Sequence, residues 1–208
     1  MGFEDKTRLP FIERPDLSPF LIHLTKRTDE NSAFENLIEI LKTGKIKGST
    51  TATGYVQGNT PAACFMDVPL GSLKYVLNKA QTKTTSGFPR YEPYGVLISK
   101  SWAYDAGARP VLYLSKDEQK FHLKVPPDEL WRVVRFEGVS DSTIGWLHER
   151  EWRAKGNFKL PPSMLAVLVK SPTEAKKLQT QMTVKPQDFK ATALSVLPLR
   201  IVCQGLPY

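Results

Sequence analysis

Apolar positions along the 208-residue chain fall into short runs set off by turn-forming residues. Phe20-Leu21-Ile22-His23-Leu24-Thr25 reads as a buried strand. Asp29, Asn31 and Ser32 then offer helix caps ahead of Phe34, Leu37, Ile38 and Leu41, whose spacing is helical. Gly44 closes that helix as its C-cap. Residues 45–60 are rich in Thr, Gly, Ser and Asn and predict a loop with a short strand at its start. Ala62 to Met66 is a second strand, ended by Asp67 and Pro69. Leu70, Leu73, Tyr75, Val76 and Leu77 predict a short helix, and residues 81–93 a polar, mobile insertion.

Gly95–Ser99 and Pro110–Leu114 read as strands, with a helical turn at Lys100–Tyr104 ended by Gly107. Trp131–Phe136, Glu149–Arg153, Met164–Val169 and Val196–Val202 predict four more strands, and Ser171–Gln181 a helix. Strands outnumber helices without alternating regularly with them, so the pattern favours an α+β domain over a doubly wound sheet. One domain is expected over residues 1–208, with the Pro-rich residues 1–19 as an extended N-terminal arm.

Composition adds a few exclusions. At 41% hydrophobic and 24% charged residues the chain has the make-up of an ordinary globular protein. No apolar run approaches the ~20 residues that span a bilayer. The charged, proline-bearing start lacks the apolar core of a secretion signal, so a cytoplasmic protein without membrane partners is expected. Cys64 and Cys203 are far apart, and His23, His122 and His148 are scattered, so no metal site is expected. The formal net charge of +8 makes a nucleic acid or nucleotide the natural partner class.

Three places carry candidate chemistry. On a strand, His23 and Thr25 share a face, where an imidazole and a hydroxyl can bind a diol such as a ribose. Glu149 and Glu151, in an extended segment, point the same way and form a carboxylate pair. Such a pair can orient a hydroxyl and stabilise positive charge developing on a sugar carbon, with one pKa raised by the other's charge. Tyr75, after the Phe65-Met66-Asp67 strand end, can stack on a planar ring.

The order of these features resembles the ADP-ribosyltransferase superfamily in its His–Tyr–Glu branch. His23-Leu24-Thr25, the helix Asn36 to Thr43 and Gly44 look like the opening of the DarT-type nucleic-acid ADP-ribosyltransferases and their poly(ADP-ribose) polymerase relatives. Phe65 to Leu70, Gly95 to Leu114 and Glu149-Arg150-Glu151-Trp152-Arg153 also resemble the AbiGi-like abortive-infection proteins. Together these stretches span residues 20–153.

The resemblance implies split antiparallel and mixed sheets around a nucleotide cleft that holds NAD, with flanking helices. His23 and Thr25 would bind the adenosine ribose, with Leu24 between them in the cofactor set. Phe65 would line the pocket and Tyr75 would stack on nicotinamide, with Tyr55 as the competing aromatic. Glu151 would orient the nicotinamide ribose and Glu149 assist the acceptor, although both glutamates fit the catalytic position. The segment 137–148, with Trp146 and His148, would be the substrate loop, where Trp146 could stack on an unpaired base.

The implied function is NAD-dependent ADP-ribosylation of single-stranded DNA or RNA by a toxin or phage-defence effector, with an antitoxin as a further partner. The alternatives are a non-catalytic nucleic-acid or partner-binding module on the same fold, and a magnesium nuclease using Glu149, Glu151 and Asp141.

Overall fold

Alternation along β1 (Phe20–Leu24) sends Leu21 to one buried layer and Ile22 and Leu24 to another. Both faces of this strand are therefore covered. The computed structural model describes residues 16–52, 55–77, 89–137, 146–204 and 206. Most of the expected N-terminal arm, most of the insertion at 81–93 and the loop at 138–145 lie outside these residues.

After β1 the chain forms α1 (Ala33–Thr43), β2 (Lys45–Ile46) and β3 (Ala62–Phe65). The Ser32 hydroxyl accepts from the Glu35 amide, and the Glu35 carboxylate accepts from the Ser32 amide, which closes a capping box at the start of α1. Gly44 ends that helix at φ 65°, a conformation glycine adopts without steric cost. A 3-10 turn (Leu70–Ser72) leads into α2 (Leu73–Val76). Then follow β4 (Gly95–Ser99), α3 (Lys100–Asp105), β5 (Arg109–Pro110), β6 (Leu112–Leu114) and β7 (Val133–Arg135). The chain closes with β8 (Trp152–Lys155), β9 (Phe158–Lys159), β10 (Ser163–Val169), α4 (Pro172–Val184), β11 (Thr192–Pro198) and α5 (Leu199–Val202).

The main sheet has the order β1-β4-β10-β11, antiparallel except for the parallel β10/β11 pair. Helices α1, α3 and α4 contribute to the layer on one face, and α2 and α5 to the layer on the other. Because both faces are buried, β4 and β10 read as continuous apolar runs rather than as alternating ones. Gly95 begins β4 because a Cβ there would stand 2.2 Å from the carbonyl oxygen of His23.

A second sheet, β3-β8-β5, touches the first at one bridge, where the Ile22 amide and carbonyl bond the main chain of Met66 at 3.0 and 2.8 Å. Two small pairs, β2/β9 and β6/β7, complete the α+β fold. No helix among the described residues is long and apolar enough to cross a membrane.

Four strand expectations are corrected. The run 110–114 is two strands, because Pro110 lacks a donor and the Val111 amide turns to the Glu151 carbonyl. β5 then pairs with β8, and β6 runs parallel to β7. Trp131 lies in a 3-10 helix, Pro127–Arg132, which opens on Pro126-Pro127, and the strand follows it. The C-terminal strand starts at Thr192 and ends at Pro198, after which α5 takes over the apolar run. The segment 149–153 is not continuously extended. Trp146–Glu149 is a 3-10 turn, Arg150 has φ 44°, and the strand starts only at Trp152.

Candidate functional site

His23 stands where the two sheets part. Its Nδ1 lies 2.8 Å from the Cys64 carbonyl, which can only accept, so the Nδ1 carries the hydrogen. The ring's other nitrogen, Nε2, is then an acceptor in the neutral form. Burial lowers the His23 pKa below its ordinary value, against the opposing pull of that hydrogen bond, and favours this neutral state. Phe65 meets the ring edge-on at 6.0 Å and is itself packed on Phe158 at 4.9 Å.

The main chain beside His23 is equally defined. Ile22 uses its amide and carbonyl on Met66, and Thr25 donates its amide to the Tyr94 carbonyl on the β4 side. Peptide groups alternate along an antiparallel pair, so the Leu24 N–H and C=O face the split between the sheets. The Thr25 side chain does other work: its buried hydroxyl contacts the Ala33 and Tyr94 carbonyls at 2.8 and 3.2 Å. It ties the first turn of α1 to β1, and its single proton is engaged there.

The two glutamates do come near each other, by a route other than strand alternation. The 3-10 turn and the left-handed Arg150 re-aim Glu149, which is buried, with its carbonyl accepting from the Asp67 amide at 3.0 Å. Arg150 is anchored by Nε on the Asp67 carbonyl at 2.8 Å and by a further bond to the Asp16 carbonyl. Glu151 accepts from Nε and Nη2 of Arg153 at 2.8 and 3.1 Å, and its amide donates to the Tyr113 hydroxyl at 3.1 Å.

Electrostatics confirm the proximity. Burial raises the Glu149 pKa above the usual carboxylate range. Arg90 opposes that rise, Glu151 adds to it, and the Tyr91 hydrogen bond and His148 act against it. Burial first, and the Glu151 carboxylate second, push the Cys64 thiol far up and keep it protonated. Cys64 meets His23 through its carbonyl, while its thiol donates to the Ala62 carbonyl at 3.7 Å.

A tyrosine other than Tyr75 stands at the glutamates. Tyr75 is 65% exposed on α2, with Lys74 5.1 Å from its ring centroid. Tyr91 instead contacts both carboxylate oxygens of Glu149, at 3.1 and 3.0 Å. Arg90 donates from Nε to the Tyr91 hydroxyl at 3.3 Å, and its guanidinium lies 5.0 Å from the ring of exposed Tyr55. Tyr55 thus joins the glutamates through Arg90. Arg90, Tyr91 and Tyr113 were missed at the level of sequence. Arg90 and Tyr91 fall in a polar stretch that reads as an insertion, and their one available signal is an aromatic beside an arginine just ahead of an apolar strand.

His148 is exposed on the 3-10 turn that Trp146 begins, and most of the expected substrate loop lies outside the described residues. Among the described residues, no three of His, Cys, Asp and Glu are grouped to hold a metal ion. Asp141, the third ligand of the nuclease alternative, is outside them.

No family model and no curated protein matches the chain. Solved structures similar to it include two of DarT from Thermus sp. 2.9. The one in complex with carba-NAD+ is 13% identical, and the match covers 89% of this chain and 97% of that one, with a TM-score of 0.45. The one in complex with NAD+ is 14% identical over 88% and 96%, with a TM-score of 0.45.

Proposed function

We propose that the chain is an NAD-dependent ADP-ribosyltransferase of the His–Tyr–Glu type, acting on nucleic acid as a toxin or defence effector. The observation that carries this reading is the convergence of a neutral histidine, an outward-facing peptide edge and two carboxylates at the split between two sheets. That set fits NAD in kind: a hydroxyl acceptor, an amide-recognising main chain and negative charge for a sugar carbon.

NAD would supply an activated ribose carbon, whose bond to nicotinamide breaks as neutral nicotinamide departs and whose new bond forms to the acceptor. His23 Nε2 accepts a hydrogen bond from a ribose hydroxyl. The Leu24 N–H and C=O match the donor and acceptor of a carboxamide. Glu151, oriented by Arg153, presents its carboxylate where positive charge develops. Glu149, shielded from solvent, takes the proton that the acceptor gives up. The net charge of +8 supports a polyanionic acceptor.

The bidentate Arg153–Glu151 pair favours the alternative of a non-catalytic binding module, because it also serves as a structural clamp. One experiment separates the two. Purified protein is incubated with NAD and, in parallel, single-stranded DNA, RNA or cell lysate, and nicotinamide release and label transfer are measured. Release that disappears in Glu151→Ala, with label on a nucleic acid, supports the transferase. Absence of NAD binding by calorimetry overturns it, and full activity in Glu151→Ala overturns the role of that residue.

A further inference from the structure

We infer that Tyr91, braced by Arg90, is the positioning residue for Glu149, a role that rests on the transferase reading above. A buried carboxylate that is to accept a proton must be held in one orientation without being neutralised by a full ion pair. Glu151 has such an ion pair in Arg153, whereas Glu149 has a phenol. The Tyr91 hydroxyl lies 3.1 and 3.0 Å from the two Glu149 oxygens, so its one proton is shared across the carboxylate. The hydroxyl oxygen in turn accepts from Arg90 Nε at 3.3 Å.

The chain Arg90 to Tyr91 to Glu149 is therefore polarised in one direction. The arginine draws electron density from the phenol and strengthens its donation to the carboxylate. Arg90 lies close to two rings, its guanidinium 5.0 Å from the centroid of Tyr55 and 5.4 Å from that of Tyr91. Glu149 thus keeps a fixed direction while still able to take up a proton.

The groups facing Glu149 come from several elements. Arg90 and Tyr91 approach from the segment before β4, Glu151 from the start of β8, His148 from its own turn, and Cys64 and Tyr113 from β3 and β6. Of these, the Arg90 charge most favours the carboxylate's charged form, and the hydrogen bond that Tyr91 donates to it acts in the same direction. Removing that proton makes Glu149 harder to ionise, so a reaction that needs ionised Glu149 loses rate first on the acidic side.

The test is a double-mutant cycle in the full chain with Tyr91→Phe, Glu149→Gln and the pair, each checked for a cooperative thermal transition. Nicotinamide release with acceptor present is followed against pH. Wild-type turnover supports the transferase reading, and its absence defeats that reading and this inference with it, whereas the variants test the inference alone. Given turnover, Tyr91→Phe is expected to lower the rate at least about tenfold and move the acidic limb to higher pH. In the Glu149→Gln background the same substitution is expected to change nothing further. An unmoved acidic limb, or equal losses in both backgrounds, overturns the inference. If Tyr91→Phe does not fold, Arg90→Gln is carried through the same cycle, with the same overturning results. The upward shift of the limb is then expected to be at least as large, because the Arg90 charge opposes the rise of the Glu149 pKa more than the Tyr91 hydrogen bond does.

Discussion

Arg153 grips Glu151 with two parallel hydrogen bonds, at 2.8 and 3.1 Å, while its Nη1 donates to the Trp131 and Val133 carbonyls at 2.9 and 3.3 Å. Arg153 is 2% exposed and sits on β8, paired in register with Cys64 of β3 and Arg109 of β5. One side chain thus fixes a candidate catalytic carboxylate and two main-chain carbonyls of the next layer.

Removing one half of this pair leaves the other buried and unmatched. Arg153→Ala is expected to destabilise the fold by about 3–5 kcal/mol, read as a lower urea midpoint. Replacing both members, as Glu151→Gln with Arg153→Met, should recover much of the loss, since no uncompensated charge remains. A midpoint for Arg153→Ala within experimental error of wild type would show that the pair anchors nothing.

Glu149 carries a folded-state pKa raised by burial above its unfolded value. Its contribution to stability is therefore fully present at acidic pH and lost as pH rises through the folded pKa. Glu149→Gln, which cannot ionise, is expected to melt at a higher temperature than wild type at pH 7.5. The gap should close as pH falls toward the unfolded carboxylate range. On the proposed function the same variant should lose transfer activity, so stability and function would move in opposite directions.

His23 has the reverse dependence on acid. Its folded pKa is depressed below 6.5, so its contribution is fully present above the unfolded value and is lost as pH falls through the folded one. Thermal melts of wild type and His23→Gln from pH 7.5 to 5.0 provide the check. The wild-type melting temperature should fall more steeply over this range, and parallel slopes would rule the histidine out as the source.

Gly95 admits β1 at a distance no side chain allows. In Gly95→Ala the new carbon would meet the His23 carbonyl oxygen at 2.2 Å, and both partners are main chain in the middle of a covered sheet. The substitution is expected to cost about 3 kcal/mol and, on the proposed function, to weaken NAD binding by displacing His23. Urea unfolding together with calorimetry on the folded fraction tests both effects.

Local signals in the sequence located the elements that are stabilised locally. Ser32 with Glu35, and Ser171 with Glu174, are capping boxes whose partners sit three residues apart, and both helices form there. β4 and β10 are apolar enough that either face can be buried, and their positions follow from composition. The misread segments are those whose conformation depends on remote partners. Arg150 is turned by Asp67 and Asp16, and Val111 by Glu151, none of them near in sequence. For the site, His23, Phe65, Glu149 and Glu151 were legible as residue types in order along the chain. Tyr91 was not, because a tyrosine in a polar stretch looks the same whether it faces solvent or a carboxylate from 58 positions away.

The left-handed Arg150 has a wider consequence. Because the chain turns there, the two carboxylates ride on separate mounts: Glu151 just ahead of the first residue of β8, Glu149 on the 3-10 turn before it. A change of length or sequence upstream of Trp146 would re-aim Glu149 and leave Glu151 in the grip of Arg153. On the proposed function, cofactor use and acceptor choice would thereby be separable by heredity, so that one could drift in a lineage while the other stood still.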